Sequence, residues 1–398
     1  MRRPYEESHP WLTFSAKMVQ NAQAELWSMI GECKSKCEHI AGVPLRPDVA
    51  RQLHSLYLAK GILATTAIEG NTLSEEEVLR FLEGKLALPP SREYLAQEIK
   101  NIQEGCTAVM DRILKGTPLP LNAENFCALN AIVLKELKVD EGVDPGKIRK
   151  HSVGVFRYRA APAEDCEFLL NRLGEWLDGP SFACPDSMGT QTAILKAVIA
   201  HLYLAWIHPF GDGNGRTARL VEFQILLRAG VPTPAAHLLS NHYNQTRSEY
   251  YRQLDYASQP GGDIVPFIKY AVRGFVDGLM GQLARIREFQ RDLTWLSLVY
   301  DAFHEKDGAA DTRRKHFILD LSGCAEPVQV TGATGISNRC AIAYANKTKM
   351  TLRRDLAQLI DLQLIVLDSE KRTIAPNKNL VDAFLPRKAP TSLQTRES

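Results

Sequence analysis

The sequence predicts an all-α protein with one small β-hairpin and a separate C-terminal unit. Three observations lead there. Apolar residues recur at helical spacing in successive segments that Gly and Pro set apart. One stretch, residues 147–162, changes character: Val153, Val155 and Phe156 stand among glycine and arginine, which suits a short hairpin better than a helix. At Asp307-Gly308 and the charged run Asp311 to Lys315 the pattern breaks, and the last part of the chain reads as a unit of its own.

Composition narrows the class. At 398 residues the chain can hold two or three domains, and 45% hydrophobic with 24% charged residues is ordinary for a globular protein. A net charge of +2 gives no global basic field favouring nucleic acid. No uninterrupted apolar run reaches bilayer-spanning length, and Met1-Arg2-Arg3-Pro4 precedes no apolar signal core. No membrane partner is therefore expected, and the chain reads as cytoplasmic. The eight cysteines are scattered; Cys33 and Cys37 lie four apart, but no second pair completes a zinc set.

Taken in order, residues 1–20 carry Pro4, Pro10, Trp11 and Phe14 and read as an extended arm whose aromatic side chains dock on the body. Met18, Ala22, Leu26, Ile30 and Cys33 mark a helix over 18–42. The next helix starts at Asp48 and stops near Gly70-Asn71, closing with Thr65-Thr66-Ala67-Ile68-Glu69. Glu69 is an acid at the end of a helix, where it opposes the dipole unless a cation meets it. Ser74 caps the acidic turn Glu75-Glu76-Glu77 of a further helix, which ends by Pro89-Pro90. Helices are expected over 92–115 and 122–138, with Ile99, Ile102, Leu129 and Ile132 as core positions, and a turn over 142–146. After the hairpin come helices over 164–178 and 263–292.

One stretch carries chemistry: His208-Pro209-Phe210-Gly211-Asp212-Gly213-Asn214-Gly215-Arg216-Thr217-Ala218-Arg219. It links two apolar helices. Pro209 stops the first, in which Ile194, Val198, His201, Leu202 and Ala205 recur at helical spacing, and three glycines permit a tight turn before the second. The N–H groups from Gly213 to Arg216 converge where that second helix begins, and its dipole favours an anion there. Arg216 and Arg219 lie on one helix face and can both turn toward it. Asp212 is the loop's acid and suits Mg²⁺. His208, with a pKa near neutral, can take a proton from a hydroxyl. Phe210 reads as a buried plug. The stretch lacks the Gly-Lys-Ser/Thr of a Walker loop, and its glycine spacing is not that of a dinucleotide fingerprint.

The stretch resembles the signature H-P-F-x-D-G-N-G-R-x-x-R of the Fic family, with every fixed position matched. The resemblance implies an all-α Fic core with a small β-hairpin flap. It also implies transfer of AMP from ATP to a Ser, Thr or Tyr hydroxyl of a target protein, which can be the chain itself, with release of pyrophosphate. His208 is then the base and Asp212 the Mg²⁺ ligand. Gly213, Asn214, Gly215, Arg216, Thr217 and Ala218 cradle the nucleotide, and Arg219 clamps the γ-phosphate. The hairpin Val155-Phe156-Arg157-Tyr158 falls where the family's flap covers the nucleotide and pairs with the target segment. Tyr250 falls beside the adenine; Ser258 stands where relatives often have Asn. Thr65, Glu69, Gly70 and Asn71 resemble the family's inhibitory motif, with Glu69 pairing Arg219. Removal of AMP, transfer of another nucleotide or of phosphate, and a DNA-binding regulator that senses nucleotide are the alternatives.

Toward the C-terminus, a polar-basic turn around Lys347, Lys349, Arg353 and Arg354 leads into an amphipathic helix and a strand pair near Thr373, resembling a winged helix. Such a module can read DNA or serve docking and dimerisation, so DNA and a second copy of the chain are candidate partners. The expected layout is an N-terminal helical region with the inhibitory helix over 1–115, a catalytic domain over 116–290 and a winged-helix domain over 300–385, with 386–398 disordered.

Overall fold

A computed structural model of the chain describes residues 2–155, 158–259 and 262–382. It forms two compact units that divide between Leu283 and Ala284. The expected disorder of 386–398 lies outside the described residues, as do Phe156 and Arg157.

The first unit is helical apart from one hairpin. Its helices are α1 (Ala24–Gly42), α2 (Pro47–Ala67), α3 (Glu75–Leu82), α4 (Glu93–Leu114) and α5 (Ala123–Val133). After the hairpin β1 (Gly154–Val155) and β2 (Tyr158–Arg159) come α6 (Cys166–Leu177), α7 (Gly189–Ile207), α8 (Asn214–Arg228), α9 (Leu238–Gln245) and α10 (Arg247–Ala257). The unit boundary falls inside α11 (Val265–Ala302).

The core is built around α7 and α8, which pack against each other along their length. α7 is buried on nearly every side, including Ile194, Ala197, Val198, Leu202, Tyr203 and Trp206. A helix without a polar face belongs at the centre of a domain. The 22-residue segment Asp186–Ile207 is in fact long and apolar enough to cross a membrane, contrary to the expectation from uninterrupted runs; 72% of its most apolar window is buried within the domain.

Local chemistry sets the helix ends. At α3, Ser74 accepts from the Glu77 N–H while the Glu77 carboxylate accepts from the Ser74 N–H, a complete capping box. α2 closes with Gly70 at φ 104°, the Gly70 N–H bonding the Ala67 carbonyl and the Asn71 N–H bonding that of Thr66. That pairing is a Schellman motif, and it presents Glu69 at the helix end.

Several boundaries differ from the sequence reading. α1 begins at Ala24, not residue 18, because a separate short turn of helix, Lys17–Gln20, precedes it. α5 stops at Val133 rather than 138, where Glu136 takes a left-handed φ of 58°. α11 continues ten residues past 292, since no Gly or Pro interrupts it between 284 and 302. The N-terminal arm docks as expected, with Phe14 against Trp176 and Tyr203 and Trp11 beside Tyr158, but its start is helical over Pro4–Ser8.

In the second unit, α12 (Ala309–Leu321), β3 (Val328–Gln329), α13 (Asn338–Tyr344), α14 (Lys349–Asp361), β4 (Ile365–Asp368) and β5 (Thr373–Pro376) surround a core of Trp295, Phe317, Leu321, Leu359 and Ile374. The strands form an antiparallel sheet in the order β3-β5-β4. The charged run Asp311 to Lys315 lies within α12 instead of a linker. Lys349, Arg353 and Arg354 lie on α14, which Thr348 caps, rather than in a turn.

Candidate active site

The loop between α7 and α8 is held from three sides. His208, the cap of α7, takes a left-handed φ of 47° and turns the chain out of the helix. The Asn214 side chain accepts from the Phe210 N–H and donates to the Phe210 carbonyl, each at 2.9 Å, so it braces the loop from within. Asn130 of α5 donates to the Asp212 carbonyl (3.0 Å) and to Thr217 Oγ1 (3.3 Å). Arg149 donates to the carbonyl of His208 (2.7 Å). Phe210 is 1% exposed and plugs the core as expected.

This scaffold leaves the N-terminus of α8 open. Its cap residue, Gly213, is left-handed (φ 75°) and offers no side-chain oxygen to the first N–H groups of the helix. Those groups face a cavity of about 570 Å³ whose walls include His208, Asp212, Gly213, Asn214, Gly215 and Ala218 on the loop side. Tyr158, Tyr250, Tyr251, Leu254 and Ser258 close the other side, and Glu69 also reaches in. A space of this size, apolar at one end and rich in N–H donors at the other, accommodates a nucleotide.

An anion already stands at the polar end. Glu69 Oε1 accepts from Arg219 Nη2 at 2.5 Å. The same nitrogen donates to the Thr65 carbonyl at 3.0 Å. The carboxylate lies so near Gly215 that a Cβ there would collide with Glu69 Oε1. Gly215 thus serves close approach, at a negative φ that any residue could adopt. Burial by itself raises the Glu69 pKa, but Arg219 outweighs it and holds the carboxyl below its usual range. Arg216 takes a second acid: Nη1 donates to Glu98 Oε1 of α4 at 3.0 Å, and Nη2 to Asp212 Oδ1 at 3.2 Å. Glu98 in turn accepts from the Asn71 side chain at 2.8 Å, and burial lifts its pKa.

The near-neutral titration expected of His208 does not hold. Burial, joined by the charge of Arg149, pushes it down to about 4, against the pull of the Ala205 carbonyl, Glu69 and Asp212. The ring is therefore neutral at pH 7. Its Nδ1 lies 3.4 Å from the Ala205 carbonyl, so the tautomer that donates there leaves Nε2 with a free lone pair.

The remaining sequence-predicted residues divide between the cavity and the scaffold. Thr217 turns its hydroxyl to Asn130 and bonds its N–H to the Gly213 carbonyl, away from the cavity walls. Tyr158 lines the cavity and donates to the Trp206 carbonyl at 2.8 Å. Tyr250 lines it too, its hydroxyl 2.8 Å from His201 Nε2. Val155 pairs with Tyr158 across the hairpin. Sequence reasoning passed over Asn130, Arg149 and Glu98. Asn130 offered a signal, a polar side chain within the apolar run Ala128 to Val133; Arg149 and Glu98 stand among polar neighbours and offered none.

Known proteins share the fold around this loop. Residues 120–226 match the family described as Fic/DOC. Protein adenylyltransferase fic-1 of Caenorhabditis briggsae is 27% identical over 256 residues, covering 64% of this chain and 46% of the relative. Protein adenylyltransferase Fic of Drosophila mojavensis is 30% identical over 213 residues, covering 52% and 38%. The chain thus spans about half, or less, of the length of these curated relatives. A Fic family protein from Desulfovibrio desulfuricans G20, 21% identical, shares the fold over 92% of this chain and 98% of its own, with a TM-score of 0.56. Fic-1 of Caenorhabditis elegans, 24% identical, does so over 67% and 74%, with a TM-score of 0.53. Residues 120–226, which hold the complete signature loop, thus form a domain that matches the Fic/DOC family.

Proposed function

We propose that the chain transfers AMP from ATP to a Ser, Thr or Tyr hydroxyl of a protein and is held back by Glu69. The observation that carries this reading is an uncapped helix N-terminus opening on a nucleotide-sized cavity beside a neutral histidine. The names of the curated relatives support it. The hydroxyl oxygen attacks the α-phosphorus, its proton passes to His208 Nε2, and the bond to the β-phosphate oxygen breaks to release pyrophosphate. The N–H groups of Asn214 and Gly215 and the Arg216 and Arg219 guanidiniums receive phosphate charge, and Tyr250 packs the base. Positioning and charge neutralisation dominate such a displacement.

Asp212 fits Mg²⁺. Its side chain is 50% exposed at the cavity. Among the described residues no cluster of three or more acids, histidines or cysteines could hold a metal alone, so a nucleotide's phosphates would have to complete the ion's coordination. When bound, Mg²⁺ neutralises phosphate charge. Glu69 acts by engaging Arg219, the residue that would clamp the γ-phosphate, so ATP settles in a pose unsuited to in-line attack.

The second unit we read as a winged helix, from its three-stranded antiparallel sheet and capped α14. Lys347, Lys349, Arg353 and Arg354 are all exposed, which favours DNA as its partner, with dimerisation the competing use.

The test uses α-labelled and γ-labelled ATP with the full chain and a cell extract. Label retained from the α position alone is expected; retention from γ alone would replace AMP transfer with phosphate transfer. His208→Ala is expected to lower the transfer rate by about 10²–10⁴-fold while ATP still binds, and undiminished labelling would remove His208 as base.

A further inference from the structure

We propose that Arg149 is a positioning residue that locks the backbone of His208 to the base of the hairpin, so that base and target segment keep one geometry. The inference rests on the AMP-transfer reading and goes beyond it, to a residue outside the signature loop.

Arg149 is 4% exposed, and no carboxylate pairs with it among the described residues. Its fork spends four donor contacts on carbonyls instead. Nε donates to His208 (2.7 Å) and Nη2 to Ile207 (3.3 Å), the last carbonyls of α7. Nη2 also donates to Ala161 (2.5 Å) and Nη1 to His151 (2.6 Å), on the two arms that carry the hairpin. Its own N–H donates to the Pro209 carbonyl at 2.9 Å. The cation therefore sits at the negative end of the α7 dipole, which compensates part of its burial. It bridges two segments: the loop with the base, and the hairpin on which a target strand would lie.

The geometry requires arginine. A planar fork with five donors reaches carbonyls on opposite sides at once, whereas a lysine ammonium is a point charge on a flexible stem. The positive charge also faces His208 and helps keep the imidazole neutral. The charged groups facing that ring are Arg149, Glu69 and Asp212. A second contact reinforces the bridge, since the Tyr158 hydroxyl of the hairpin donates to the Trp206 carbonyl of α7.

The experiment compares Arg149→Gln and Arg149→Lys in full-length Glu69→Gly protein. AMP-transfer kinetics are read beside hydrogen exchange along the whole chain. Arg149→Gln is expected to lower kcat by about a hundredfold, the scale of a small misplacement of a catalytic group, with KM for ATP little changed. Arg149→Lys, which keeps the charge and loses the fork, should recover about a tenth of the loss in logarithmic terms or less. Exchange should quicken together over residues 151–161 and 205–213 and stay unchanged elsewhere. A general increase in exchange with kcat per folded molecule intact would make Arg149 merely structural and overturn the proposal, as would loosening of one segment alone. If Arg149→Gln does not fold, Arg149→Lys carries the same readouts. If the Glu69→Gly parent transfers no AMP, the reading of the reaction fails, while the exchange comparison still decides whether Arg149 ties the two segments.

Discussion

Two arginine–carboxylate sites, one in each unit, are built differently. In the second unit Asp355 is 1% exposed and takes four donors: Arg313 Nε (2.7 Å) and Nη2 (3.1 Å), Arg314 Nε (2.8 Å) and the Tyr344 hydroxyl (2.9 Å). In the first unit Glu69 keeps 33% of its side chain open, and one oxygen meets one nitrogen of Arg219. Among the described residues Arg219 Nε and Nη1, both buried, have no hydrogen-bond partner. The Asp355 cluster is saturated and has no room for another ligand. The Glu69 pair leaves donors unspent beside a cavity, and a buried donor without a partner is costly. A site that keeps such donors suits an incoming anion. Satisfaction, together with the burial of the acid, separates the structural pair from the one we propose as a switch.

Breaking the closed site should produce the largest effect. Asp355→Ala leaves Arg313 without an acid and Arg314 with Asp311 alone, and removing one partner of a buried pair typically costs about 3–5 kcal/mol. Urea unfolding should show that loss with AMP transfer little changed; a loss under about 1 kcal/mol would mean the cluster behaves like a surface pair. Glu69→Gly should cost less stability than that, because its carboxylate is one-third open, while raising AMP incorporation by about ten- to a hundredfold, since a charge-assisted contact is worth a few kcal/mol and each ~1.4 kcal/mol is tenfold. Arg219→Ala added to it should cancel the gain. Equal initial rates for wild type and Glu69→Gly would make Glu69 an ordinary helix-end acid.

The pH dependence of the open site comes from two depressed groups. Glu69 sits below its usual range, so its contribution is present above the ordinary carboxylate pKa and is lost as pH falls through the folded value. Inhibition should therefore persist throughout the neutral range. For His208, at about 4, the base form prevails above that pH. Removing Glu69 takes away one upward influence, so Glu69→Gly activity should hold between pH 7 and 5 and fall to half at about 4 or below. A half-point near the ordinary imidazole value, about 6.5, would show a ring more exposed to water than the fold places it.

How far the sequence could be read depends on the range of the interactions. The signature loop, the Ser74 box and the Gly70 stop are local, so their residues announce themselves within a few positions. The Glu69–Arg219 pairing was reachable through the family resemblance, and the geometry places those side chains together. Arg149, Asn130 and Glu98 act across long stretches of chain, and only the folded arrangement of α4, α5 and α7 gives them partners. The depressed His208 pKa arises from burial, which no spacing encodes. β3 is two residues long and exists through its pairing with β5, and α11 outran its expected end because no breaker stops it.

The smallest expected effect is also the most diagnostic of the open site. Gly215 has an ordinary negative φ, so alanine gains there by restricting the unfolded chain, about 0.4–1 kcal/mol. In wild type that gain meets a collision, because the new Cβ falls on Glu69 Oε1 and within 3.1 Å of Arg219 Nη1. Forcing an extra methyl into a filled site costs about 1–3 kcal/mol. Gly215→Ala should therefore destabilise wild type by roughly 1 kcal/mol. In Glu69→Gly the collision with the carboxylate is gone, and the same substitution should become neutral or slightly stabilising. A sign change between the two backgrounds, read by thermal melts, would locate the carboxylate at the mouth of α8. ATP binding probes the same contact. If a phosphate occupies the place that Glu69 holds, the alanine methyl must crowd it, so KM for ATP should rise in Glu69→Gly/Gly215→Ala even as the fold gains. An unchanged KM with the stability sign reversed would mean that carboxylate and phosphate use different parts of the loop. Inhibition would then act through Arg219 alone.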